Sequence, residues 1–294
     1  MVKAKSKGEK VFDICNIFIM LFLVIITVYP MSYVAVCSFA DSSELLGNNG
    51  IILFPKGFNL AAYKSVFGNP NILTGYSSTL FVVIAGTVIS VIMTSVGAFL
   101  ITRKHFAVRK FISYLFVFTM YFSGGMIPTF IVVYKWIHLG DSLWAVILTQ
   151  AVSTYNMLIM KSSFEAVPDS LEESAKIDGA NDIIVLLRII LPLSLSIIAV
   201  MVLFYSVNYW NSWFNAMVYI RTRSKYPLQL ILREILLMND ISSMNSGASV
   251  SDQYMIGEGI RYATIMVATV PILCVYPFIQ KYFVKGVMVG AVKG

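Results

Sequence analysis

Six long apolar stretches constrain this chain more than any other feature, because about 20 apolar residues suffice for a helix to cross the hydrocarbon core of a membrane. Of its 294 residues, 58% are hydrophobic and 13% charged. This balance is typical of integral membrane proteins and not of soluble domains. We therefore expect an all-α integral membrane protein with six transmembrane helices. The predicted spans are residues 14–37, 78–102, 111–134, 143–160, 193–213 and 262–279.

The distribution of basic residues predicts how the chain is oriented. A cytoplasmic N-terminus places 14 of the 22 lysines and arginines on inner segments, most clearly in the turns 103–110 and 161–163, as the positive-inside rule requires. The first span is too long for the apolar region of a signal peptide, and no small-residue cleavage site follows it. We expect a multi-pass protein of the cell membrane with both termini in the cytoplasm. Although the net charge is +7, this distribution argues against nucleic acid as a partner.

The predicted spans and loops form one domain. Residues 1–12 are a basic cytoplasmic tail, and residues 13–294 form a single membrane domain. Ser123-Gly124-Gly125, followed by Pro128, is expected to break the third span. Two connections are unusually long: a charged inner loop at 161–192 and an outer loop at 214–261.

The spans contain no aspartate, glutamate, lysine or arginine. Ionisable residues within the membrane usually mark proton relays, ion paths or voltage sensors, so a proton-coupled transporter is disfavoured. The chain also lacks the phosphate-binding pattern GxxxxGK[ST]. Its three cysteines and two histidines are far apart, so no metal site is expected. Neither HExxH nor GxSxG occurs, so we do not expect an enzyme. If the protein pumps a solute, a partner must supply the energy.

Polar but uncharged residues gather late in the fourth span and at the outer end of the fifth. Amides offer both donors and acceptors, and aromatic faces offer flat apolar area, which together suit a neutral polyhydroxylated ligand such as a sugar. The same residue types are typical of interfacial aromatic belts and of contacts between membrane helices, so that alternative stays open. The candidate residues of a substrate pathway are Gln150, Tyr155, Asn156, Asn208, Tyr209 and Asn211.

The charged inner loop contains the segment EESAKIDGANDIIVLLRIILP at 172–192. Pro168 suits the first position of a helix, and acidic residues follow it at the positive end of the helix dipole. Glu172 and Lys176 have the favourable i,i+4 order. Gly179 can adopt the left-handed conformation that ends a helix, and Asn181 or Asp182 can cap the next one. The segment therefore predicts a short helix outside the membrane, which either another protein grips or water solvates.

One resemblance favours the first alternative. The string Glu173-Ser174-Ala175-x-x-Asp178-Gly179-Ala180, followed by Ile190-Leu191-Pro192, resembles the EAA loop of permease subunits in ATP-binding cassette (ABC) importers. The pattern of that family is EAAxxDGA, then about nine residues, then IxLP. Residues 122–128 and the C-terminal segment 280–294 resemble the carbohydrate branch. That branch includes the smaller permease of maltose-type systems and the group for complex or oligomeric sugars.

The resemblance implies a type I ABC importer transmembrane domain in a prokaryotic cell membrane. Such a subunit pairs with a second homologous permease, two ABC ATPase subunits and an extracellular solute-binding protein. The EAA loop is the cytoplasmic coupling helix that docks on an ATPase, and Glu173 is expected to pair there with a basic group. ATP and magnesium bind the partner ATPases, and no cofactor binds this chain. The ATPase-coupling residues that the resemblance implies are Glu172, Glu173, Ala175, Asp178, Gly179 and Ala180.

The predicted function is the permease subunit of an ABC importer for sugars, in particular oligosaccharide or polysaccharide fragments, with no catalysis of its own. Permeases for amino acids, phosphate or metals also carry EAA loops, so import of another solute is the alternative. The absence of charge in the spans and the carbohydrate-type C-terminal segment favour sugar.

Overall fold

Helices make up all the regular structure in the part of the chain that the computed structural model describes, which is residues 6–41, 57–104, 106–245, 259–275 and 277. The all-α prediction is therefore confirmed for these residues. The helices are α1 (Lys7–Phe39), α2 (Ala61–Phe67), α3 (Pro70–Thr102), α4 (Arg109–Tyr121), α5 (Met126–Trp136), α6 (Leu143–Leu148), α7 (Thr154–Phe164), α8 (Asp169–Ile177), α9 (Asp182–Leu193), α10 (Leu195–Trp210), α11 (Trp213–Tyr219), α12 (Leu228–Asn245) and α13 (Gly259–Val275).

The predicted spans appear in four forms. Helices α1 and α3 are each long and apolar enough to cross a membrane. The pairs α4–α5 and α9–α10 reach that length only together, and they bend by 114° and 86°. The fourth predicted span is not one helix, because residues 149–153 separate α6 from α7. The described residues thus contain two to four spanning elements by length and composition, with α13 as a shorter apolar helix.

The bend between α4 and α5 lies where the glycine pair predicts it. Gly125 has φ +83° and ψ 175°, a conformation that side chains other than glycine rarely adopt. Ser123 Oγ accepts a hydrogen bond of 3.2 Å from the Gly125 amide. The break is therefore built from local backbone chemistry.

The chain divides into two units. One consists of Met1–Asn69 with Glu234–Thr269, and the other of Pro70–Arg233 with Val270–Gly294. In the first unit, α1 begins with a capping box in which Ser6 and Glu9 exchange hydrogen bonds of 2.7 and 3.3 Å. Most large apolar side chains of α1 are more than half exposed. Such a helix requires lipid or another protein around it.

The core of the second unit lies where α3, α6, α7 and α10 meet. Tyr209 is buried, and its hydroxyl donates to the carbonyl of Ile147 (2.9 Å) and lies 2.9 Å from the hydroxyl of Ser90. A Cβ at Gly86 would come within 2.7 Å of the Tyr209 ring, so only glycine allows α3 and α10 to approach this closely.

Tyr205, one turn earlier on α10, repeats the arrangement. Its hydroxyl lies 2.6 Å from the hydroxyl of Thr94 and accepts a bond of 3.2 Å from the Ser153 amide. Buried hydroxyls need partners in an apolar interior. These two tyrosines supply them, and thereby hold α3, α10 and the break between α6 and α7 together.

Candidate functional site

Helix α8 and the turn after it have the local structure that their residues predict. Pro168 is the N-cap of α8, one position earlier than expected, and Asp169 and Glu172 lie in the first turn. The helix ends at Ile177 with Asp178 as its C-cap, and Gly179 follows with φ +83°. A Cβ at Gly179 would meet nothing within 4 Å, so glycine is required by the backbone conformation and not by crowding.

Asn181 is the cap of α9, because its side-chain oxygen accepts a hydrogen bond of 2.9 Å from the Ile184 amide. Helix α9 contains a π-helical turn at Leu186–Ile190 and then bends by 86° into α10 at Ser194. Within the described residues, the buried hydroxyl of Ser194 has no hydrogen-bond partner. The charged loop is thus continuous with a core helix of the second unit.

Ion pairs fasten α8 to the inner turn after α3. Arg103 pairs with Glu172, which also accepts from Lys176 at 2.9 Å. Lys104 pairs with Asp169 at 2.6 Å. The two pairs that join the segments differ in exposure: the Arg103 and Glu172 side chains are 15% and 17% exposed, whereas those of Lys104 and Asp169 are 73% and 69% exposed.

The Arg103–Glu172 pair lies at a charged cleft of about 320 Å³ between the inner turn and α8. The guanidinium carbon of Arg103 lies 4.4 Å from the centre of the Phe99 ring. Burial lowers the pKa of Arg103, while the negative charges of Asp182 and Asp169 act in the opposite direction. The hydrogen bond from Lys104 lowers the pKa of the Asp169 carboxyl. The cleft thus holds both signs of charge, with three basic and four acidic side chains along its walls.

The six predicted coupling residues divide into two groups. Glu173, Asp178 and Gly179 are exposed, and Glu173 also lines the cleft beside the inner turn. Ala175 and Ala180 are partly buried and pack against the core of the second unit, while Glu172 points to Arg103. Their role in coupling stays a prediction, and the first group is the more exposed of the two.

Two exposed isoleucines on this loop were not predicted as site residues. Ile177 is 86% exposed and Ile183 is 67% exposed, on either side of the Gly179 turn. Large apolar side chains that border charged residues and remain exposed are typical of a protein interface. The sequence carried no signal for this exposure, because an isoleucine beside a helix end that glycine terminates is equally compatible with packing.

Four of the six predicted pathway residues are exposed or half-buried polar groups. Asn208 donates to the side-chain oxygen of Gln150 at 2.9 Å, which joins α10 to the end of α6. Asn211 donates to the carbonyl of Val207 at 2.9 Å. Tyr155 is 59% exposed. These residues offer amide and hydroxyl groups at an accessible surface.

The other two predicted pathway residues are buried. Tyr209 is 1% exposed, and both partners of its hydroxyl belong to the core. Asn156 is 7% exposed, and its backbone amide donates to the capping hydroxyl of Ser153. Both residues therefore pack within the core. Their contact with a ligand stays a prediction, which their low exposure does not support.

A third cluster lies at the opposite end of the second unit from α8. Asp141 accepts hydrogen bonds from the amides of Arg221 and Thr222 (2.9 Å each), from the Thr222 hydroxyl (2.6 Å) and from the Lys225 ammonium (2.9 Å). These bonds, led by those from Thr222, hold the pKa of the Asp141 carboxyl well below its usual range. Asp141 therefore fastens the segment after α11 to the turn before α6.

Comparison with known proteins identifies relatives along almost the whole chain. Residues 86–289 match the family described as "Binding-protein-dependent transport system inner membrane component". Protein LplC of Bacillus subtilis is 42% identical over 289 residues, covering 98% of this chain and 97% of that protein. The polygalacturonan/rhamnogalacturonan transport system permease protein YtcP of the same organism is 42% identical over 291 residues, covering 97% and 99%. A solved bacterial ABC transporter involved in import of the acidic polysaccharide alginate includes a chain that is 28% identical, with a TM-score of 0.83, covering 96% of this chain and 100% of that one.

Proposed function

This chain belongs to the family of binding-protein-dependent transport system inner membrane components, and we propose that it is the permease subunit of an ATP-driven ABC importer for oligosaccharide or polysaccharide fragments. The observation that carries the proposal is the geometry of α8, Gly179 and α9, which presents an exposed loop that continues directly into a core helix. Relatives whose names specify polygalacturonan/rhamnogalacturonan and arabinooligosaccharides support sugar as the solute.

The exposed face of α8 is the proposed docking surface for an ATPase subunit. Glu173 and Asp178 supply negative charge there, and Ile177 and Ile183 supply apolar area. An apolar centre with polar residues at its rim is the usual anatomy of a protein interface. Glu172 positions this surface, because its carboxylate pairs with Arg103 and Lys176.

Membership of the family supports a proposal for the wider assembly. We propose six spans with both termini in the cytoplasm, a second homologous permease beside this one, two ABC ATPases below and an extracellular solute-binding protein above. ATP and magnesium bind the ATPases in this proposal. The exposed apolar side chains of α1 support a lipid or protein neighbour along its length.

Gln150, Asn208, Asn211 and Tyr155 are the proposed contacts with the solute. Their amide and hydroxyl groups are accessible and uncharged, which suits sugar hydroxyls. Tyr209 and Asn156 are left out because they are buried.

The experiment is uptake into proteoliposomes that contain the complete importer, with its binding protein and labelled oligogalacturonate or arabino-oligosaccharide as probes. Ile177→Asp is expected to abolish ATP-dependent uptake while the two permeases still assemble, because it places a charge in the apolar centre of the docking surface. Ile137→Asp, at an exposed isoleucine on the predicted outer side, is the matched control and should leave coupling intact. Uptake of amino acids, phosphate or metal ions by the wild-type importer, with no sugar transported, would refute the sugar assignment.

A further inference from the structure

Helix α9 is apolar around its whole circumference apart from one cation. Residues 183–193 (IIVLLRIILPL) contain Arg188 and no other polar side chain. Its buried face consists of Val185, Leu186 and Ile190, which belong to the core of the second unit. A helix that is apolar all round is stable only where nothing aqueous surrounds it. The second face of α9 therefore also requires an apolar neighbour.

That second face is exposed. Ile184 and Leu187 are 37% and 58% exposed, and Arg188, which shares their side of the helix by its spacing, is exposed as well. The exposed apolar surface continues past the bend at Ser194, because Leu195 at the start of α10 is 64% exposed. Apolar area left in water is unfavourable in proportion to its size, so the face is expected to be covered.

The bend places this face at the surface of the membrane. In the proposed topology, α10 crosses the membrane and begins at its cytoplasmic side, and α9 meets it at 86°. A helix at a right angle to a spanning helix runs parallel to the membrane plane, at the level of the lipid headgroups. An apolar face with a cation at its edge is typical of helices that lie in that interface.

The charge of Arg188 is available to a headgroup. Among the described residues, no carboxylate forms an ion pair with it; Asp182, at the start of α9, pairs with Lys176 at 3.5 Å instead. The cytoplasmic leaflet carries a negative surface potential that attracts basic residues close to it. A guanidinium binds a phosphate through two parallel hydrogen bonds, while the stem of the arginine lies along apolar surface.

We propose that the exposed face of α9, formed by Ile184, Leu187 and Arg188, binds an anionic phospholipid of the cytoplasmic leaflet. The phosphate contacts Arg188, and the acyl chains cover the two apolar side chains. This inference rests on the proposed function for the orientation of the chain, and it adds a lipid partner beside the docking surface of α8.

An ATPase subunit is the other partner within reach of α9, and composition favours the lipid. A protein docking surface has a polar rim, which α8 supplies with Glu173 and Asp178. Residues 183–193 contain no acidic group and a single polar side chain. Their composition is that of a helix in contact with hydrocarbon, with one cation at the level of the headgroups.

The test places the photocrosslinker benzoylphenylalanine at position 187 of the complete importer, in vesicles of phosphatidylcholine with a minor share of phosphatidylglycerol. Mass spectrometry then identifies what is linked to the permease. We expect lipid adducts in which phosphatidylglycerol is enriched about fivefold over its share of the vesicle lipid, the factor equivalent to about 1 kcal/mol for one basic residue near an anionic surface. In the Arg188→Gln variant, lipid should still be linked, and the enrichment should disappear.

Two controls accompany this test. Lys110→Gln removes an exposed cation from the inner turn and should leave the enrichment within about twofold, since an exposed charge elsewhere has effects near that size. The crosslinker at position 177 is expected to link to an ATPase subunit, because Ile177 belongs to the proposed docking surface. Equal elution volumes of the complexes will show that each variant assembles.

Three outcomes would overturn the inference. Linkage of position 187 to an ATPase subunit would assign this face to protein docking. Lipid adducts without enrichment of phosphatidylglycerol would leave Arg188 no role in lipid binding. Equal loss of enrichment in the Lys110→Gln variant would assign the effect to the general charge of the inner side. Failure of the proposed function is distinct, because it appears as missing linkage between position 177 and the ATPase, whatever position 187 contacts.

Discussion

Removing the Arg103 guanidinium should release α8 from the inner turn. Loss of one partner of a fully buried ion pair costs about 3–5 kcal/mol, whereas exposed pairs contribute about 0–1 kcal/mol. With Arg103 and Glu172 15% and 17% exposed, and Lys176 still 2.9 Å from Glu172, we expect Arg103→Gln to cost about 2–3 kcal/mol. That cost raises the ratio of released to docked α8 by roughly 30- to 150-fold.

Amide hydrogen exchange over residues 169–178, measured on protein in lipid nanodiscs, reports this ratio directly. Exchange through local opening accelerates in proportion to the opening equilibrium. Arg103→Gln should therefore accelerate it by roughly 30- to 150-fold, the factor calculated above. Lys104→Gln is the matched control, because it breaks a pair between the same two segments that is 73% and 69% exposed. It should accelerate exchange by no more than about fivefold.

A double-mutant cycle separates the ion pair from other effects of the substitution. If the pair holds α8, hydrogen exchange over residues 169–178 should be no faster in R103Q/E172Q than in Arg103→Gln alone. The double variant no longer has the unpaired, buried carboxylate of Glu172. Additive effects of the two substitutions, or equal acceleration by the Arg103 and Lys104 variants, would refute the reasoning. Among these variants, ATP-dependent uptake should be lowest where hydrogen exchange of α8 is fastest.

Three further predictions concern the backbone, the core and the outer turn. Gly179→Ala should cost about 1–2 kcal/mol from the left-handed backbone alone, and so reduce coupled uptake about fivefold or more, while thermal unfolding of the complex changes by no more than that cost allows. Gly86→Ala should destabilise the protein by about 1–3 kcal/mol in thermal unfolding, because its Cβ meets the Tyr209 ring at 2.7 Å; Gly124→Ala, with nothing within 4 Å, is the control and should be neutral. The pKa of Asp141 is lowered from its model-compound value of 3.8, so the stability it contributes is complete above that value and is lost as the pH falls through the lower folded value. Exchange of the two amides that donate to Asp141, corrected for the intrinsic rate, should be constant between about pH 5 and 8 and rise only in stronger acid, and Asp141→Asn should remove this dependence.

Local features of the inner loop could be predicted because their causes lie within a few residues. The Asn181 cap satisfies an amide three positions away, and Gly179 adopts a conformation that depends on its own missing side chain. The glycine break before α5 is of the same kind. In each case the chemistry of the residue determines the backbone without help from the rest of the fold.

Which face of α8 points inward could not be predicted in this way. Lys104 and Asp169 are 65 residues apart in the chain, and nothing in the periodicity of α8 specifies that Glu172 turns toward Arg103 while Glu173 stays exposed. Adjacent glutamates look equivalent in a sequence. Their environments differ only once the inner turn is in place.

The burial of Tyr209, which was predicted as a pathway residue, could not be predicted from the sequence either. A tyrosine beside asparagines at the end of an apolar span is equally compatible with a ligand contact and with a buried hydroxyl. The partners that decide between them, Ser90 and Ile147, lie on helices far away in the chain. The broken fourth span has a related cause, since the backbone at 149–153 is stabilised through Tyr205 of another helix.

The bend at Ser194 determines how far α10 moves when the inner loop moves slightly. Its amide donates to the carbonyls of Ile190 and Leu191 at 3.0 and 3.1 Å, and its carbonyl accepts from the amides of Ile197 and Ile198 at 3.1 and 3.2 Å. Ser194 therefore joins α9 and α10 by hydrogen bonds on both sides of their 86° bend. The two helices therefore form an L-shaped lever whose longer arm, the 16 residues of α10, measures about 24 Å at 1.5 Å per residue. Rolling α9 by about 10° about its own axis would carry the far end of α10, with Asn208 and Trp210, through about 4 Å, the distance that this arm length gives.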